Sequence, residues 1–116
     1  MKIREWCSIG NQYCTVGKHQ YSVARLIELA KDLPVFDAQI DCLNVSYTYD
    51  NLSLRDMVMH FNAVNNADLE CPIILDENGD ILDGKHRLMK AIMLGHNTIK
   101  AVRFDENPEP CYIIKE

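Results

Sequence analysis

The sequence predicts a single α+β domain, a small mixed sheet with about three helices, and three observations carry that reading. Apolar residues recur at helical spacing in separate stretches that open on polar or glycine caps. Short runs rich in β-branched and aromatic residues lie between them, bounded by Gly, Pro, Asn and Asp. A chain of 116 residues, 47% hydrophobic and 25% charged, can bury one adequate core and not two, so the domain is expected to span residues 1–116.

Residues 1–20 alternate loosely (Ile3, Trp6, Ile9, Tyr13, Val16) with glycines at Gly10 and Gly17, as an irregular strand and turn would. From Ser22 the spacing of Val23, Leu26, Ile27 and Ala30 predicts an amphipathic helix capped by Ser22 and ended by Pro34. Val35 to Tyr49 reads as one or two strands, with polar breaks at Asp37 and Asn44. A second helix starts on the capping sequence Ser53-Leu54-Arg55-Asp56 and carries the stripe Leu54, Met57, Val58, Phe61 until Asn65-Asn66. Cys71 to Leu75 is a short apolar strand, Asp76 to Gly79 a turn, and a short strand leads to a third helix from about Lys85 to Leu94, stopped by Gly95. Thr98 to Phe104 and Cys111 to Ile114 read as closing strands around the Pro108-Pro110 loop.

Composition narrows the partners. The formal net charge is −5 and the basic residues form no long run, so an extended duplex-DNA footprint is not expected. No charged leader followed by an apolar stretch and no apolar run of membrane length is seen, which predicts a soluble, cytoplasmic protein without a membrane partner. The five cysteines (Cys7, Cys14, Cys42, Cys71, Cys111) include no CxxC pair, and the four histidines (His19, His60, His86, His96) lack ligand spacing to them. Neither a structural zinc nor a disulfide framework is expected.

The chemistry is placed at Asp83-Gly84-Lys85-His86-Arg87, where a strand turns through glycine into a helix. Glycine allows close approach of a ligand, and the first N–H groups of a helix lack intrahelical partners and carry partial positive charge, so this is an anion site in outline. Arg87 can add a bidentate fork, Lys85 a point charge, and His86 a donor or a proton carrier. Three cationic side chains at the positive end of a helix are unfavourable unless an anion binds or Asp83 compensates. Asp83 can cap the helix, pair with Arg87, or hold a magnesium ion that accompanies a polyphosphate. The alternative is a plain capping turn with a solvated basic face. A Walker loop and a dinucleotide fingerprint are both absent from the sequence.

Pro72-Ile73-Ile74-Leu75-Asp76, Gly79-Asp80-Ile81-Leu82-Asp83-Gly84-Lys85-His86-Arg87-Leu88, Lys90-Ala91, Gly95 and Ile99 to Phe104 together resemble the core of the ParB/sulfiredoxin superfamily, over about residues 69–104. The resemblance implies a ParB/sulfiredoxin-like fold whose Gly-x-x-Arg helix start binds nucleotide phosphates: CTP in ParB, ATP in sulfiredoxin, an adenine nucleotide in ParB-like free-serine kinases. It implies that Gly84 admits the phosphate, that Arg87 and His86 contact its oxygens, and that Asp83 lies beside a magnesium ion or the attacking group. Lys85 stands where sulfiredoxin has its catalytic cysteine, so sulfinic-acid reduction is not implied. No residues follow Glu116 to supply a helix-turn-helix domain, so partitioning is not implied, and the catalytic glutamate of the serine kinases has no assignable counterpart. The likeness is greatest to small stand-alone ParB-like proteins of bacteria and phages.

Outside the motif, His60 lies four residues after Asp56 beside the second helix's apolar stripe and is a candidate base, against a structural role. Asp68 is a turn carboxylate or a second base or metal residue. Lys18 and His19 are a solvated turn or a loop over the ligand, and Arg103 supports the anion site or pairs at the surface. Tyr47 and Tyr49 share the face of one strand and serve packing or base stacking. Two functions follow: a magnesium-dependent nucleotide hydrolase or phosphotransferase of the ATP or CTP class, catalysed by Asp83, His86 and His60, or a nucleotide-binding or partner-regulating module without turnover. A nuclease or DNA-binding role ranks behind both.

Overall fold

The Cys71–Leu75 run becomes the strand on which the sheet is built. Ile73, Ile74 and Leu75 are all buried, because this strand is covered on both faces, which is why its sequence is continuously apolar rather than alternating. The computed structural model describes Lys2 and residues 12–115; the sequence readings for Ile3, Trp6, Cys7, Ile9 and Gly10 lie outside the described residues.

In chain order the elements are β1 (Tyr13–Val16), β2 (His19–Ser22), α1 (Val23–Ala30), β3 (Phe36–Gln39), a 3₁₀ turn (Ile40–Cys42), α2 (Leu54–Asn65), β4 (Ile73–Leu75), β5 (Ile81–Asp83), α3 (Lys85–Met93), β6 (Thr98–Arg103) and β7 (Tyr112–Ile113). The fold is therefore α+β, with three α-helices among the described residues. One sheet has the order β3-β6-β4-β5 and is mixed: β4 runs parallel to β6, and the pairs β3–β6 and β4–β5 are antiparallel. A smaller antiparallel sheet has the order β1-β2-β7.

The period of two along a strand divides the core. Ile74, Leu82 and Val102 point to one face and pack with Leu26, Ile27 and Ala30 of α1. Ile73, Leu75, Ile81 and Ala101 point to the other and pack with Leu88 and Ala91 of α3. The Ser22 hydroxyl accepts from the Arg25 N–H, and all the α1 positions read as apolar from the sequence are buried. The β4–β5 turn closes on Asp76, 2% exposed, whose carboxylate accepts the N–H groups of Asn78 and Asp80, each at 2.9 Å. Helix α3 ends as expected: Gly95 takes φ +77°, its N–H donates to Ile92 O and that of His96 to Ala91 O, the paired bonds of a Schellman motif.

Two readings are sharpened. Of the one or two strands read over Val35 to Tyr49, one forms, β3, and residues 43–50 contain no strand; Asn44 Oδ1 accepts the Ser46 N–H in a local turn, and Tyr47 is held by its hydroxyl, which accepts the Ile81 N–H at 3.3 Å. A side-chain tether has replaced the ladder that β-propensity suggested, because propensity reports fit to a neighbouring strand and none pairs here among the described residues. Helix α2 forms where read, with Ser53 accepting the Asp56 N–H, but its apolar stripe points outward: Leu54 is 82%, Val58 60% and Phe61 57% exposed. The helix instead turns Val64 inward, and its last carbonyls, Asn65 O and Ala67 O just beyond it, accept Lys90 Nζ from α3 at 3.0 and 2.8 Å. A cation at a helix C-terminus offsets both the dipole and unpaired carbonyls there. No helix among the described residues is long and apolar enough to cross a membrane.

Candidate functional site

Gly84 is the N-cap of α3 and has φ +114°, ψ 21°, a left-handed conformation that side-chain-bearing residues rarely adopt. The turn also lies hard against β4. A Cβ on Gly84 would sit 2.4 Å from Ile73 Cγ2 and 3.2 Å from Arg87 Nη2. Glycine is thus required here by backbone conformation and by space, and it leaves the first helical turn with no capping side chain.

The three basic residues that follow are dispersed in three directions. Arg87 turns beneath the turn and is 6% exposed; Nη1 donates to Cys71 O at 3.0 Å and Pro72 O at 2.6 Å, and Nη2 to Asp83 Oδ2 at 2.7 Å. These carbonyls precede β4 and lie outside its ladder, so the guanidinium ties strand start to helix start. Lys85 Nζ lies 4.1 Å from the centroid of the Tyr47 ring, a cation–π contact. His86 Nε2 is 2.7 Å from His60 Nδ1 on α2, and the His60 ring in turn meets that of Tyr49 at a tilt of 46°, with centroids 4.5 Å apart. The electrostatic conflict seen in the sequence is therefore answered within the protein, chiefly by Asp83 and by aromatic faces.

One hydrogen can occupy the line between the two imidazoles, whereas two protonated rings would set N–H against N–H. In this geometry one ring nitrogen donates to the other, so the two imidazoles are joined through a single shared hydrogen.

Above the turn lies a cavity of about 940 Å³. Asp83 to Arg87 form one wall; Gln12, Tyr13, Cys14 and Thr15 of the β1 region form another; Tyr49 and Ala63, Asn66, Ala67 and Asp68 around the end of α2 complete the rim. Asp68 pairs with Lys2 at 2.6 Å and accepts the Glu70 N–H, so this carboxylate is a rim ion pair. The structure thus brings Asp83, Gly84, Lys85, His86, Arg87, His60 and Tyr49 together. It sets others apart: Arg103 donates to Glu77 O at the β4–β5 turn, Lys18 lies in the β1–β2 turn with its carbonyl accepting Ile114 N, and His19 is in β2 opposite Ile113.

The β1 contribution was not anticipated. Cys14 on the cavity wall has its thiol pushed up to about 11 by burial, with Lys85 pulling the other way, so it stays protonated at neutral pH. Cys111 is the opposite case. The Ser22 N–H, and then Arg25, lie against its sulfur at 3.4 and 3.5 Å and hold its thiol below the ordinary value. Iodoacetamide near neutral pH is expected to alkylate Cys111 at least about tenfold faster than Cys14, read by peptide mass mapping; equal rates would refute this electrostatic ordering.

The donor set does not fit a resident metal ion. Asp83 is the carboxylate at the helix start and its Oδ2 is engaged by Arg87, and among the described residues no cluster of three His, Cys, Asp or Glu is placed to hold a metal. Comparison of the chain with family models, with curated proteins and with solved structures finds no match.

Proposed function

We propose that the cleft at the start of α3 binds the phosphate of a nucleotide or another phosphorylated small molecule, as the ParB/sulfiredoxin-like motif implies. The observation that carries this reading is the Gly84 turn, left-handed and without a Cβ, opening the first turn of α3 into a 940 Å³ cavity. Lys85 and His86 contact the anion in this reading. Arg87 acts as a positioning residue, since three of its five N–H groups are spent on Cys71 O, Pro72 O and Asp83. Magnesium enters only as a companion of ATP or CTP, and no step is routed through it. If the site turns its ligand over, the His60–His86 pair is the group that moves a proton, giving a nucleotide hydrolase or phosphotransferase; without turnover the domain is a nucleotide-binding regulatory module. The burial of Arg87 favours the module, because the strongest cation of the motif is already neutralised.

The test is a thermal-shift series against ATP, CTP and inorganic phosphate, with and without magnesium, followed by phosphate release. Ligand at about 100 times its Kd adds about 2.7 kcal/mol, a rise in Tm of roughly 10 °C. Lys85→Ala and His86→Ala are expected to abolish the shift while leaving the unliganded Tm within a few degrees. Absence of any shift at millimolar concentration refutes the phosphate site. Phosphate release lost in His60→Ala identifies the enzyme, and binding without release identifies the module.

A further inference from the structure

Helix α2 turns its two sides to opposite tasks. Its inner side carries His60 and Val64, against α3 and the core. Its outer side carries Leu54, Val58 and Phe61, spaced i, i+4, i+7. Lys90 of α3 reaches the carbonyls at the end of α2, and Met93 and Leu94, three and four residues on, share that side of α3 and are also exposed. Met93 and Leu94 thus add a second exposed apolar pair near the C-terminal end of α2.

We infer that this α2–α3 face is the interface of a homodimer. Fully burying a large apolar side chain removes on the order of 100 Å² from water, so Leu54, Val58, Phe61, Met93 and Leu94, each more than half exposed, offer about 300 Å² of apolar surface per copy. A dimer interface of standard size covers about 800 Å² per partner, of which about 65% (some 500 Å²) is apolar, so the face supplies most of what a second copy needs. Its charge also suits self-association. The chain has a formal net charge of −5, whereas α2 has one Arg and one Asp, Arg55 and Asp56, and no other Lys, Arg, Asp or Glu. Two copies meeting here bring together a face depleted in charge and enriched in Met and Phe, the composition that marks interface cores. A two-fold axis beside Val58 sets Leu54 of one protomer against Phe61 of its partner, and the reverse, which is the self-complementarity that an isologous contact requires. Docking clamps α2 from outside, so His60 is held against His86 from the far side of its own helix.

Sedimentation velocity of the full chain reads the outcome. Wild type at about 100 µM is expected at twice the chain mass, and Val58→Asp at the single-chain mass with an unchanged far-UV spectrum, its dimer Kd raised at least about 100-fold. Phe61→Lys on the same stripe provides an independent reading, and Leu29→Asp, an exposed leucine of α1, leaves the dimer intact. Wild type at the single-chain mass throughout, including the case where the face captures a different protein, overturns the inference. So does a dimer that persists in both folded stripe variants.

Discussion

Arg87→Met is expected to lower the stability of the unliganded protein by about 3–5 kcal/mol, a fall in Tm of roughly 10–20 °C. The substitution keeps much of the apolar stem but removes the partner of Cys71 O, Pro72 O and Asp83 Oδ2 in a place where the side chains of Arg87 and Asp83 are 7% and 11% exposed. An unpaired buried carboxylate is costly, and each orphaned carbonyl adds about 1–3 kcal/mol. Arg87→Lys recovers only part of the loss, because one ammonium cannot reproduce the fork that spans two carbonyls and a carboxylate. Combining Arg87→Met with Asp83→Leu removes the orphaned charge and is expected to be less destabilising than the sum of the two single changes, by urea denaturation. An Arg87→Met protein that melts within a degree or two of wild type would show that the guanidinium is not a structural tie. Loss of nucleotide binding in an Arg87 variant therefore reports the collapse of the turn as readily as the loss of a ligand contact, and Lys85→Ala is the variant that separates them.

Gly84→Ala is expected to cost about 2–5 kcal/mol, from left-handed backbone strain and from overpacking. The clash is with the branched Cβ and Cγ2 of Ile73, at 2.8 and 2.4 Å, atoms of a buried central strand that has little freedom to retreat. In urea the midpoint should fall with the slope unchanged. Ile73→Ala removes Cγ2 but keeps the Cβ at 2.8 Å, so it relieves part of the contact and the double variant is expected to be more stable than the sum of the single losses predicts. Strict additivity would mean that the Cγ2 contact contributes nothing and that backbone strain and the Cβ contact account for the effect.

How far the sequence reveals the molecule depends on where each element finds its partners. Helix α1 was legible in its cap and its stripe, because both are local and the stripe packs on the sheet of its own chain, although the helix ends at Ala30, before Pro34. Helix α2 was legible in extent, whereas the direction in which its stripe faces was not. An apolar stripe states that a face is to be covered, and says nothing of whether the cover comes from within the chain. The glycine turn at Gly84 and the positions of Lys85 and His86 were readable from the motif. The destination of Arg87 was not, because it depends on carbonyls at Cys71 and Pro72, sixteen and fifteen residues earlier, whose direction is set by how β4 enters the sheet. The contact between His60 and His86 likewise depends on α2 and α3 lying side by side, a tertiary fact that the Asp56/His60 spacing only allowed.

The segment from 43 to 50 gives the cleft an uneven mechanics. The neighbouring wall is a helix start bolted to a buried strand, whereas this part of the rim has no ladder and is held by Tyr47 at Ile81 and Lys85 and by Tyr49 at His60. Stretches with few backbone bonds open at little free energy while their neighbours stay closed. Tyr47, which faces the Lys85 ammonium, and Tyr49 on the cavity rim thus sit in a compliant segment beside a helix start that is fixed to a buried strand.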